Sequence, residues 1–221
     1  MVNMPFQKGD RILFQGDSVT DCGRERTDDY ALGSGYPALI AAYLWAHYPQ
    51  LQLTIFNRGV SGDRVYDLVD RWQTDCIELK PNWVSILVGI NDTWRRYDQD
   101  MISPIGEFKA AYRQLLEQTT QHTNARLIIC EPFVLNQPAD RLAWREDLNP
   151  RIQAVRELAA EFSAIYVPLD GILAAACTKV TPSFWAEDGV HPTLAGHGLI
   201  ASTWLQSTSQ WTSELRHADN S

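Results

Sequence analysis

Long hydrophobic runs are missing from this sequence, and nothing approaches the roughly 18 consecutive apolar residues of a membrane span. An excess of positive charge is missing too. Lysine and arginine number 19 against 27 acidic residues, for a formal net charge of −8. With no basic cluster either, a nucleic acid or an anionic membrane surface is not the expected partner. Cysteine is sparse: Cys22, Cys76, Cys130 and Cys177 stand far apart, without a CxxC pair or a Cys/His cluster at zinc spacing. That spacing speaks against a disulfide frame and a structural metal, and for reduced residues in or near a core. Repeats and low-complexity linkers are absent, and the opening MVNMPFQKGD has no apolar signal core. A soluble, cytoplasmic chain with one domain over 1–221 is the expectation.

What is present alternates in type. Short, continuous apolar runs occupy 11–17, 53–59, 83–92, 126–133 and 164–169, the pattern of parallel strands buried on both faces. Between them, Val65, Leu68, Val69, Trp72 and Cys76 fall at helical spacing, as do Phe108, Tyr112, Leu115 and Leu116. Leu148, Ile152, Val155, Leu158 and Phe162 make a third such set. Ser103-Pro104 reads as a cap followed by a first-turn proline, and a last helix should run from near Thr193 through Trp204. Alternating βα units predict an α/β fold: a three-layer α/β/α sandwich around a five-stranded parallel sheet in flavodoxin-like order. In such sheets, sites form beyond the C-terminal strand ends.

Those ends are informative. The first closes in Gly16-Asp17-Ser18, the second in NRGVSGD (57–63) and the third in GIND (89–92), while EDGVHPT (187–193) follows the fifth. Singly, each has a plain structural role: Ser18 a helix cap, Gly62 a tight turn, Asn91 a turn residue, Asp188 and His191 a surface turn. A metal site at Asp188, His191 and His197 lacks a ligand set at sensible spacing. Cys22, four residues after Ser18, has no base near it in sequence. Taken together, the four blocks supply a nucleophile, oxyanion donors, a base and an orienting carboxylate.

GDSVTD, the glycine of VSGD, the asparagine of GIND and the DxxH of DGVHP resemble, in order and interval, the four blocks of the SGNH, or GDSL-type, hydrolases. Val19 stands where many members have leucine, and the GxSxG elbow of α/β-hydrolases is absent. GSGY, NRGVSGD, KPNWVSILVGINDTWRRYD and DGVHPTLAGH look similar to small bacterial members of the acetylxylan-esterase kind, which deacetylate sugars inside the cell. The resemblance implies Ser18 as nucleophile, His191 as base and Asp188 as its orienting acid. It also implies an oxyanion hole from the Ser18 and Gly62 N–H groups and the Asn91 amide. No metal or organic cofactor is called for, the expected partner is a small acetylated sugar, and relatives often form homo-oligomers. Asp17 reads as a structural partner of nearby backbone.

Trp94, Trp185, Tyr97 and Trp144 lie near predicted loops and offer faces on which a sugar ring could stack, although such aromatics usually pack. Arg95-Arg96 would hold the Asn91 loop or a partner subunit. Segments 134–146 and 171–186 form the expected rim, and AAAC (174–177) a closely packed helix. Competing readings are a thioesterase or lysophospholipase-like hydrolase, a silent carbohydrate-binding protein, and a flavodoxin-like nucleotide module whose only support is GSG (33–35).

Overall fold

The apolar runs form β1 (Arg11–Gly16), β2 (Thr54–Asn57), β3 (Trp83–Leu87), β4 (Arg126–Cys130) and β5 (Ile165–Val167). In the computed structural model, which describes residues 4–218, they pair in parallel in the order β2-β1-β3-β4-β5. Strand period sends alternate residues to opposite layers. Ile12 and Phe14 join a core with α2 (Tyr36–His47) and α9 (Leu194–Ala218), where Trp204 donates its indole N–H to buried Ser85. Leu13 joins the other core, against α3 (Val65–Trp72), α5 (Ile105–His122) and α6 (Arg145–Glu161). The expected three-layer α/β architecture is the observed one. Among the described residues, no helix is long and apolar enough to cross a membrane.

Three local expectations need correction. The run 83–92 is not strand throughout: β3 ends at Leu87, Gly89 turns the chain, and α4 (Ile90–Asp98) begins, so Asn91 lies in a helix's first turn. Ser103 does not cap α5. Its hydroxyl is drawn inward to Tyr66, Asp92 and Arg151, because the fully buried Arg151 guanidinium and the Asp92 carboxylate both need partners there. The alanines of AAAC lie on α7 (Leu169–Cys177), whose buried residues are Leu169 and Leu173, while Ala174 and Ala175 face outward.

Candidate active site

β1 delivers the serine. Asp17 follows it and accepts the Val19 N–H at 3.0 Å, capping α1 (Ser18–Asp21), so that Ser18 opens a helix at the C-terminal edge of the sheet. Burial pushes the Asp17 carboxyl up to about 7; the Val19 bond opposes this, and the carboxylates of Asp92 and Asp63 add to it.

Ser18 Oγ lies 2.9 Å from His191 Nε2, and His191 Nδ1 lies 2.6 Å from Asp188 Oδ2. The DxxH spacing closes on itself: Asp188 Oδ1 also accepts the N–H groups of Val190 and His191, at 3.0 and 2.8 Å. Burial alone would raise the Asp188 carboxyl, but hydrogen bonds from the His191 ring and from these two amides hold it below the usual carboxylate range. An ionised Asp188 takes the proton on Nδ1 as donor, which leaves Nε2 as the acceptor facing the serine hydroxyl.

The remaining donors are held from several sides. Gly62 lies at φ +92°, and a Cβ there would meet only Arg95, so its backbone is open to a ligand. Asp21, on the serine's own helix, accepts the N–H and hydroxyl of neighbouring Ser61 at 2.9 and 3.0 Å. Asn91 gives one amide hydrogen to the Asp63 carbonyl at 3.0 Å, keeping the second for a ligand. Buried Asp92 accepts the Val65 N–H at 3.1 Å. Among the described residues, neither the Ser18 nor the Gly62 N–H has an acceptor within the chain. Donors fixed in this way need little rearrangement when charge develops.

Cys22 does meet a histidine in space, His197 Nε2 at 3.3 Å. That contact does not make a general base. His197 Nδ1 accepts the Tyr36 N–H at 3.2 Å, so in the neutral ring the proton sits on Nε2 and is donated toward sulfur. Burial, with His191 adding, brings His197 down to about 4 and keeps it neutral. The GSG segment packs against the same corner: a Cβ on Gly35 would stand 2.7 Å from that of Cys22. These glycines serve close approach, not a phosphate.

The aromatic expectations divide. The Trp94 ring centroid lies 5.7 Å from that of His191, at the site itself. Tyr97 stacks on Trp144 and donates its hydroxyl to the Ala143 carbonyl at 2.8 Å, and the residue is 36% exposed. Trp144 is 3% exposed and cannot offer a face to a sugar, because Tyr97, Trp94 and Arg141 cover it. Trp185 packs against the core that α2 and α9 share, meets Phe184 edge-on and accepts the Thr193 N–H just before α9, and no described contact joins it to Ser18, Asp188 or His191. Arg95 pairs with Asp98, and Arg96 reaches Glu146 and Asp147 on α6.

The model of the GDSL-like Lipase/Acylhydrolase family matches residues 14–199. The chain belongs to that family. It is a carboxylic ester hydrolase. It is 35% identical over 211 residues to an acetylxylan esterase from Geobacillus stearothermophilus, covering 92% of this chain and 95% of that one. A solved acetylxylan esterase from the same organism superposes with a TM-score of 0.86 at 34% identity, over 93% of this chain and 96% of the other. Two further structures of it, one with a serine and one with a histidine replaced by alanine, are described as catalytic mutants. A Parabacteroides merdae protein described as GDSL-like gives 0.89 at 36% identity, over 93% of this chain and 98% of that chain.

Sequence reasoning about the hydrolase missed Asp21 and Asp92 as supports of the glycine loop, although both lie inside the motif blocks GDSVTD and GIND. It also missed Arg141, which no motif flags: its contacts with Trp94 and Asp188 are made across long sequence separations.

Proposed function

We propose that the hydrolase removes acetyl groups from small carbohydrate esters such as acetylated xylo-oligosaccharides, through an acyl-enzyme on Ser18. Ser18 Oγ attacks the ester carbonyl while His191 Nε2 takes its proton, and Asp188 stabilises the imidazolium that forms. The oxyanion is held by the Ser18 and Gly62 N–H groups and the Asn91 amide. As the tetrahedral intermediate collapses, His191 returns the proton to the departing sugar oxygen. Water then repeats the sequence on the acyl-enzyme, releasing acetate and freeing Ser18. The observation that carries this reading is the unbroken chain from Asp188 through His191 to Ser18, at 2.6 and 2.9 Å.

The similarity to acetylxylan esterases supports the substrate class, and Trp94 beside His191 supports a sugar face at the leaving-group side. We read residues 1–221 as one catalytic domain. The four cysteines are free, which supports a reducing, cytoplasmic setting.

Release of p-nitrophenol from the acetate and octanoate esters, by wild type and Ser18→Ala in parallel, tests the proposal. Rapid acetate turnover, poor octanoate turnover and a loss of about 10⁴-fold or more in Ser18→Ala are expected. Equal rates for the two proteins would remove Ser18 from the mechanism. A preference for octanoate would favour the lysophospholipase-like reading.

A further inference from the structure

After β4 the chain crosses the C-terminal edge of the sheet and enters a 3₁₀ turn, Ala139–Trp144, before α6. Arg141 on that turn is 12% exposed and makes three kinds of contact. Its guanidinium carbon lies 4.0 Å from the Trp144 ring centroid and 5.3 Å from that of Trp94. Its Nη1 pairs with Asp140, and its Nε donates to the backbone carbonyl of Asp188 at 3.2 Å. The same crossing grips the next residue. Leu135 N–H donates to the Gly189 carbonyl at 2.8 Å, and a Cβ on Gly189 would stand 2.1 Å from the Gln137 carbonyl.

We infer that Arg141 is a positioning residue for the acid–base loop: held on Trp144, it fixes the Asp188 peptide and so the direction in which the carboxylate meets His191. The inference rests on reading Asp188 as the acid of the triad. Geometry is the mode of action, because the guanidinium bonds the carbonyl while the carboxylate's own partners are His191 and Val190. An arginine suits the position. Its flat cation stacks on an indole while a fixed N–H points sideways, which a lysine ammonium cannot reproduce. Trp94 touches both the arginine and the His191 ring, so one stack borders the base and the peptide that carries its partner. A displacement of about 1 Å in such a constellation costs up to about 100-fold in rate.

The test measures kcat and KM on p-nitrophenyl acetate for Arg141→Met, Arg141→Lys, Asp188→Ala and the double variant Asp188→Ala/Arg141→Met. Arg141→Met is expected to lower kcat about 10- to 100-fold while KM stays within about threefold. Arg141→Lys should recover only part of the loss. Once Asp188 is alanine, removing Arg141 should cost nothing more, since a residue acting only through another loses its effect with it. Additive losses in the double variant, or an effect confined to KM, would overturn the inference. Asp188→Ala at the wild-type rate would overturn the triad reading with it, whereas a slow Asp188→Ala beside a fast Arg141→Met would sink the positioning role alone. Circular dichroism checks folding, and if Arg141→Met fails to fold, Arg141→Lys combined with Asp188→Ala carries the same cycle.

Discussion

Asn91 spends one amide hydrogen on the Asp63 carbonyl, and in the proposed mechanism its second hydrogen is aimed before substrate arrives. Asn91→Ala should therefore lower kcat on p-nitrophenyl acetate by about 10²- to 10³-fold, about 3 kcal/mol in the barrier, with a small change in KM. Asp17 leads to a pH prediction. Its folded value of about 7 stands above the ordinary 3.8. The protonated form is thus favoured by folding, and its contribution is complete below that ordinary value and lost as pH rises through about 7. His197 has the opposite sign: brought from 6.5 down to about 4, it contributes above the upper value, and that contribution is lost as pH falls toward the lower. The two oppose over a shared window, so a variant isolates one of them. Asp17→Asn keeps an acceptor for Val19, and its Tm relative to wild type should climb between about pH 4 and about pH 8 in thermal melts. A difference that stays flat across that range would contradict the burial argument. Ser18, Asn91, Asp188 and His191 could be picked out from sequence as candidates because each lies in a short block with recognisable chemistry. Trp144 and Ser103 could not be placed, because their partners are Tyr97 and Arg141, and Asp92 and Arg151, which only tertiary structure brings near.

At the scale of elements, apolar runs found the five strands of the described residues, since a strand buried on both faces is mostly apolar along its length. The same property hid the end of β3. Val88 and Ile90 extend the apolar run across the turn, and both are buried, although only residues to Leu87 are strand. The loop that carries Asp188 and His191 depends on an element boundary in a comparable way. Val190 packs in a cluster with Ile90, Trp144 and Leu148, joining that loop to α4, the 3₁₀ turn and α6. Gly189, at φ +81°, sits under the Leu135 and Gln137 carbonyls with no room for a methyl group. Gly189→Ala should consequently lower Tm and reduce kcat together, because a shift large enough to admit the Cβ must move both neighbours of the turn. An active variant with wild-type Tm would show that the loop is held elsewhere.

For the whole molecule, the sheet order decides which loops meet. β1 and β3 are neighbours, so the turns after them bring Ser18 and Asn91 together, while β2 on the other side of β1 adds the Gly62 loop. The segment after β5 returns Asp188 and His191 to the same edge, completing the site from four separate stretches of chain. That convergence follows from βα alternation and a switch point in a parallel sheet, which is why the fold could be read together with candidates for the site. The segment 134–146 could not be read so well: it makes single contacts such as Arg141 to Asp188, which leave no periodic trace. The most direct measurement is release of acetate from acetylated xylo-oligosaccharides by wild type and by Ser18→Ala, followed by proton NMR. Steady release of acetate by wild type and a loss of about 10⁴-fold or more in the variant are expected. Release at equal rates by both proteins, or none by a wild type that turns over p-nitrophenyl acetate, would contradict it.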